Sequence, residues 1–346
     1  MPRLSVLDQS PVRSGGTGAE ALQETLELAQ ACDRWGYHRY WLAEHHSTPG
    51  LAGSSPEVLI GQVAARTSRI RVGSGGIMLQ HYSPLKVAEC FRTLETLFPE
   101  RIDLGIGRAP GADPLTTLAL REGRGEARLL GTAPSLSPRF PEKVAEVIGF
   151  LRASLPAEHP FARVVAMPSG SGIPEVWLLG SSDESAMLAA HLGTAFSFAN
   201  FISDEGGVEI TRAYAREFRP SALFSAPRAS VAVFVVCADT EAEALRLAQS
   251  RDLFIVRLYT GRAGRYPSVE EAEAYPYTGH ERAIVEHARR RMVAGAPGQV
   301  RERLLGLASE YGADELVIVT ITPDVKARFR SYELLAQVFD PEETHR

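Results

Sequence analysis

Apolar residues in this chain come in short unbroken runs closed by glycine or polar residues. Between the runs, apolar positions recur every three or four residues. The runs lie near residues 4–8, 38–43, 70–79, 102–107, 175–179, 194–199, 229–237 and 315–322. Continuous Val, Ile and Leu content without polar alternation predicts strands covered on both faces, as in a parallel sheet. The intervening spacing predicts helices. Leu22, Leu26, Ala29 and Cys32 share one face of a helix ended by Gly36, and Ser83 then Pro84 caps and opens a helix that stops before Pro99. Thr240 to Glu243 reads as a capping box, and Val300, Leu304, Leu307 and Tyr311 form a stripe closed by Gly312. Eight strands alternating with helices predict an α/β fold, a (β/α)8 TIM barrel; an open doubly wound sheet is the alternative.

Two connections exceed what a barrel needs. The first, after the fourth strand, covers about 108–174, with one helix near 142–154 and Pro/Ser-rich flanks around 133–141. The second, after the seventh strand, covers about 253–297 and includes a polar, Gly-rich stretch from Tyr259 to about Gly279. Long insertions in compact domains are usually lids or binding loops, so this stretch is expected to order over a ligand. With the insertions included, 1–346 reads as a single domain, a normal length for one α/β barrel.

Composition narrows the classes. The chain is 45% hydrophobic and 23% charged, which is globular, and its net charge of −5 without a basic run argues against nucleic acid as a partner. Cys32, Cys90 and Cys237 lie far apart, with neither metal spacing nor a disulfide framework. The N-terminus reaches Asp8 before any signal-peptide core could form, and no apolar run approaches the ~20 residues of a membrane span. A cytoplasmic enzyme acting on small molecules is the expectation.

In an α/β barrel the chemistry sits beyond the carboxyl ends of the strands. After the second strand come Glu44, His45 and His46, whose imidazoles suit proton transfer but serve equally as wall residues. After the third comes the glycine cluster Gly73, Gly75 and Gly76, which permits close approach of a flat ligand. After the fourth, Gly105-Ile106-Gly107-Arg108-Ala109-Pro110-Gly111 has the start of a dinucleotide fingerprint, but its third glycine is one place late and Pro110 interrupts the helix start. Arg108 could grip a phosphate bidentately or pair with a neighbouring carboxylate. After the fifth, Gly180-Ser181-Ser182-Asp183-Glu184-Ser185 leads into a helix, offering hydroxyls and amides to an anion or a capping box from Ser181 to Glu184.

Taken together, Trp41-Leu42-Ala43-Glu44-His45-His46, Val72-Gly73-Ser74-Gly75-Gly76-Ile77, Glu100 to Arg108, the serine turn and Ala294 to Val300 resemble the bacterial-luciferase-like, flavin-dependent monooxygenases over nearly the whole length. The opening Leu4 to Pro11 is similar to an uncharacterised subgroup. The resemblance implies that His45 is the catalytic histidine, acting as acid or base. It implies that Arg108, Ser182 and Ser185 hold the phosphate of FMN with Ser181 beside it, and that the Gly75–Gly76 peptide is cis. It further implies a two-component monooxygenase, in which reduced FMN from a separate flavin reductase reacts with O₂ to a peroxyflavin that oxidises a small organic substrate, such as a carbonyl compound or aldehyde. A homodimer is implied through helices carrying Val58, Leu59 and Val63, and Leu85, Ala88, Cys90 and Phe91. Gly107 stands where the light-emitting subunit has a reactive cysteine and Ser181 where it has an acid, which argues against light emission and leaves the substrate open. The alternatives are a deazaflavin-dependent hydride-transferring oxidoreductase, a non-catalytic flavin-binding protein and, more remotely, a barrel hydrolase using Glu44 and Asp103.

Overall fold

The computed structural model describes residues 1–120, 139–170 and 172–339. Its strands are β1 (Arg3–Asp8), β2 (Arg39–Leu42), β3 (Arg71–Met78), β4 (Ile102–Gly107), β5 (Glu175–Gly180), β6 (Ala195–Ala199), β7 (Ala229–Cys237), β8 (Met292–Gly295) and β9 (Glu315–Val319). All pairings are parallel: β1 to β7 in sequence, then β7 with β9 and β9 with β1. The sheet therefore closes, and with helices between the strands it is the expected (β/α)8 barrel rather than an open sheet.

The eighth barrel strand is β9; β8 is an addition that the sequence pattern does not announce. It arises because β7 outlasts its neighbour. β6 pairs with β7 only from Ala229 to Ala232, and beyond that the same edge is taken by Met292–Gly295, paired with Phe234 to Cys237. The opposite edge belongs to β9. Left unpaired, that buried edge of β7 would strand its backbone polar groups.

Apolar side chains form two layers. Outside the barrel wall, residues such as Val6, Val72, Leu104, Val233 and Ile318 pack under the helices. Inside it lie Leu7, Trp41, Trp177, Ala195, Ala232 and Val317, with the two indoles edge to face at 5.2 Å. Strands β3 and β4 come unusually close: a Cβ on Gly105 would stand 2.1 Å from the Ser74 carbonyl oxygen, so only glycine fits. The Ser74 hydroxyl donates to Gly105 O at 2.8 Å and accepts from Gly105 N at 3.1 Å, where the β3–β4 register shifts.

The barrel floor is charged. Arg39, fully buried at the start of β2, reaches Asp103 of β4 at 2.9 Å, Glu175 of β5 at 3.0 Å and Glu315 of β9 at 2.8 Å. Trp41 Nε1 also donates to Asp103, whose second oxygen accepts from Arg71. Arg39 and Arg71 hold the Asp103 carboxyl below its ordinary range despite burial. This is the salt-bridging role, not the hydrolase role, for Asp103.

The insertions differ in part from expectation. The helix expected near 142–154 is Phe140–Arg152, preceded by a short helix Pro114–Leu120; of the Pro/Ser-rich flank, 133–138 lies outside the described residues. The second insertion does not begin at 253, because helix Glu241–Tyr259 runs through that point, burying Leu253 and Val256. Thr240 caps it by accepting from Glu243 N, the one half of the expected box that forms among the described residues. The Gly-rich stretch is anchored at one point. Tyr266 is buried and stacks on Phe254 at 4.6 Å, and its backbone pairs with Val12 and Ser14 after β1. An aromatic in a polar stretch supplied the anchor. No described helix is long and apolar enough to cross a membrane.

Removing Arg39 would leave buried carboxylates facing one another. Arg39→Ala is expected to destabilise the fold by about 3–5 kcal/mol, the usual cost of breaking a buried ion network. Urea unfolding at neutral pH checks this; an unchanged midpoint would show that the floor charges are hydrated.

Candidate active site

A cavity of about 370 Å³ opens at the carboxyl ends of β3 to β6. Its floor, inside the barrel, is apolar: Leu7, Trp41, Leu179, Ala232 and Val317. Its polar end is formed by Arg108 and the turn after β5. Six residues singled out in the sequence, Gly75, Gly76, Arg108, Ser181, Ser182 and Ser185, line this one cavity together.

Each element explains its part. β4 ends at Gly107, and the next carbonyl, that of Arg108, accepts from Gln80 Nε2. The guanidinium of Arg108 pairs with Glu184. In the turn, a Cβ at Gly180 would meet Ser185 Oγ at 2.4 Å, so glycine lets helix Asp183–Leu192 begin against the strand end. The cap is shifted by one from the sequence reading. Ser182, not Ser181, is the N-cap and accepts from Ser185 N at 3.4 Å, while Ser185 Oγ donates to Ser182 O at 2.8 Å. Glu184 is thereby free to turn to Arg108 instead of closing a box. The Gly75–Gly76 peptide is cis, as the resemblance implied.

His45 is not among the residues lining the cavity. It stands on the loop behind the rim, its amide bonded to Gly53 O at 2.8 Å. The organising residue of this loop is Glu44, which spacing alone did not reveal. Fully buried, Glu44 accepts from Met78 N at 2.9 Å and Tyr82 Oη at 2.7 Å, and meets His46 Nε2 at 2.8 Å. It thus ties the β2 loop to the end of β3. Burial and this carboxylate keep the Tyr82 phenol protonated. His46 also bonds through its amide to Gly111 O, which fixes the loop against the segment after β4. Glu44 and His46 are thus wall residues. His45 has no such partner: its Nδ1 is buried without a hydrogen bond among the described residues. Burial first, and the neighbouring His46 second, pull its pKa down to about 4. At neutral pH the ring is therefore neutral, able to accept or share a proton but not to act as a standing cation.

The family model described as luciferase-like monooxygenase matches residues 3–315. An uncharacterized protein of Bacillus subtilis (strain 168), YceB, is 46% identical over 339 residues, 98% of this chain and all of that one. The N-acetyl-S-alkylcysteine monooxygenase of the same organism is 41% identical, covering 97% of this chain and 98% of its own. Among solved structures, apo-MsnO8 superposes with a TM-score of 0.87 at 39% identity over 98% of both chains. Two more distant structures share the fold alone. They are the oxygenating constituent of 3,6-diketocamphane monooxygenase with FMN (TM-score 0.68, 20% identity, 99% of this chain and 98% of that one) and an F420-dependent secondary alcohol dehydrogenase (0.70, 13%, 98% and 99%).

The lowered pKa of His45 has a thermodynamic signature. The unfolded chain takes up its proton near the ordinary value of 6.5 and the folded protein only near about 4. In that window the unfolded state binds more protons, so stability falls as pH falls. His45→Gln should flatten the decline by up to ~1.4 kcal/mol per pH unit. Urea titrations from pH 7 to pH 4 read this directly; parallel profiles would mean that the ring is solvated.

Proposed function

The chain belongs to the luciferase-like monooxygenase family and is a flavin-dependent monooxygenase; on that premise we propose that it works on FMN reduced by a separate flavin reductase and places one oxygen atom of O₂ in a small organic substrate. One observation supports this reading most: an apolar cavity at the strand ends with an arginine and a serine turn at one end. That layout suits a flat ring system carrying a single phosphate. The residues fit the group, because Arg108, the Ser181, Ser182 and Ser185 hydroxyls and the N-terminus of helix Asp183–Leu192 converge on the same end.

When bound, reduced FMN supplies two electrons and the substrate two, so that O₂ yields one oxygen atom on the substrate and one water. The protein's own work is positioning and shielding. Arg108 would leave Glu184 to take the phosphate, a charge exchange at an exposed end where an isolated ion pair is weak. Gly75 and Gly76 present a wall without side chains to the ring. Leu7, Trp41 and Val317 exclude water from the floor. His45, neutral and with an unpartnered Nδ1, would have to turn from the loop behind the rim into the cavity to hold or move a proton at the reacting oxygen. The relative named as an N-acetyl-S-alkylcysteine monooxygenase favours a thioether-bearing substrate over a carbonyl compound or aldehyde. We also propose a homodimer through helices Pro56–Arg66 and Pro84–Leu97, where Val58 is 63% exposed. Light scattering should give twice 37.6 kDa; the single-chain mass at micromolar concentration would exclude it.

Arg108→Ala should weaken FMN binding by about 1.5–3 kcal/mol, the worth of a charged hydrogen-bonding partner, and leave riboflavin binding unchanged. Fluorescence titration decides it. Equal affinities for FMN and riboflavin in the parent would overturn the phosphate assignment, and binding of F420 with none of FMN would overturn the cofactor. His45→Ala should lower oxygenated product roughly 10²–10⁴-fold with FMN affinity kept, consuming O₂ to hydrogen peroxide instead. A variant at parental activity would make His45 a wall residue.

A further inference from the structure

One polar side chain lines the cavity away from the end formed by Arg108 and the serine turn. It is Ser197, which stands inside the barrel on β6 among Trp41, Ala232 and Val317. Strand β6 reads Ala-Phe-Ser-Phe-Ala. Its phenylalanines pack under the helices and its small residues face inward, which leaves room for the cavity on this side. Ser197 is 3% exposed, and its hydroxyl makes no hydrogen bond among the described residues. A hydroxyl held in an apolar wall without a partner is available to whatever fills the cavity.

The sheet register sets what stands behind it. Ser197 is the partner of Ser230 on β7, and Ser230 is the partner of Glu315 on β9. Two residues further on, Ala199, Ala232 and Val317 form the next row and line the cavity. Alternation therefore turns the row Ser197, Ser230 and Glu315 inward as well, one layer deeper. Adjacent strands lie about 4.7–4.9 Å apart, so each member of the row flanks the next. Ser230 and Glu315 are buried, and Ser230 Oγ and Glu315 Oε2 have no hydrogen bond. Glu315 Oε1 accepts from Ser5 Oγ at 2.5 Å and from Arg39 Nε at 2.8 Å, and Arg3 stands 3.9 Å from Oε2.

This row has a direction. A carboxylate paired with arginine only accepts hydrogen bonds. The Ser230 hydroxyl satisfies Glu315 Oε2 by pointing its hydrogen there, through a side-chain rotation or one bridging water. Its oxygen is then left to accept from Ser197. Ser197 in turn presents an oxygen, and no hydrogen, to the cavity.

We propose that Ser197 is a specificity-determining residue of the cavity, whose oxygen, set by Ser230 and Glu315, accepts a hydrogen bond from an amide or imide N–H of the bound molecule. Two molecules can bring that group: a substrate bearing an amide, or the flavin ring through its imide. The proposal rests on the flavin reading only in the second case. A ligand with an ester oxygen or an N-methyl group at that position loses the bond and leaves the Ser197 oxygen unpaired.

Two probe pairs, each differing at a single N–H, test this by calorimetry on the full-length protein at neutral pH. N-butylacetamide and butyl acetate report the substrate case. FMN and FMN methylated on its imide nitrogen report the flavin case. Ser197→Ala removes one oxygen and breaks no hydrogen bond of the described side chains. In at least one pair it should lower the affinity ratio of the N–H member to its partner by roughly threefold or more, within the range of one hydrogen bond, with the partner's own affinity unchanged. The pair that responds identifies the source. Ser230→Ala should lower the same ratio, because Ser197 is then free to turn its hydrogen toward the ligand; an unchanged ratio would overturn the directed row. If neither ratio moves in Ser197→Ala, absence of probe binding included, the proposal is overturned. If the parent binds neither form of FMN, the flavin reading fails and the amide pair alone decides this one.

Discussion

Arg39 is the residue on which the barrel turns. A guanidinium at the first position of β2 reaches carboxylates on β4, β5 and β9, tying strands from different sides of the closed sheet across its interior. Such a charge is tolerable inside a protein only when several partners satisfy it, and here three carboxylates share the task. Burial alone would favour loss of its proton, but the surrounding carboxylates outweigh that and hold it more firmly than usual. The consequence is directional. The floor is closed by a fixed network, the middle by Trp41 and Trp177, and the space left for a ligand lies at the other end of the strands.

At that end the structure divides its polar groups between scaffolding and binding. Glu44 spends its hydrogen-bonding capacity on the backbone of Met78, on Tyr82 and on His46, so it builds the wall. Ser182 and Ser185 do both: they bond one another and the helix start, and they line the polar end of the cavity. Less committed are Nδ1 of His45, which has no hydrogen-bond partner, and the guanidinium of Arg108, held by one exposed carboxylate.

Much of this was legible in the sequence. The barrel followed from eight apolar runs with helices between them, and six of the residues at the strand ends meet in one cavity because strand ends converge in a closed barrel. What escaped depended on contacts between distant residues. Strand β8 exists because β7 is longer than β6, a difference visible only once the two are paired. Ser182 replaced Ser181 as the cap because Gly180 lets the helix start one residue later. The Gly-rich stretch looked free, yet Tyr266 pins it, and a single aromatic has no periodicity to announce its burial.

The central claim is that this cavity holds FMN with its phosphate at the Arg108 end. A crystal structure of the protein with FMN tests it most directly. The account predicts the phosphate between Arg108 and the 181–185 turn, Arg108 released from Glu184, and the ring against Gly75 and Gly76. A phosphate bound away from Arg108, or FMN absent from the cavity at saturating concentration, would contradict it.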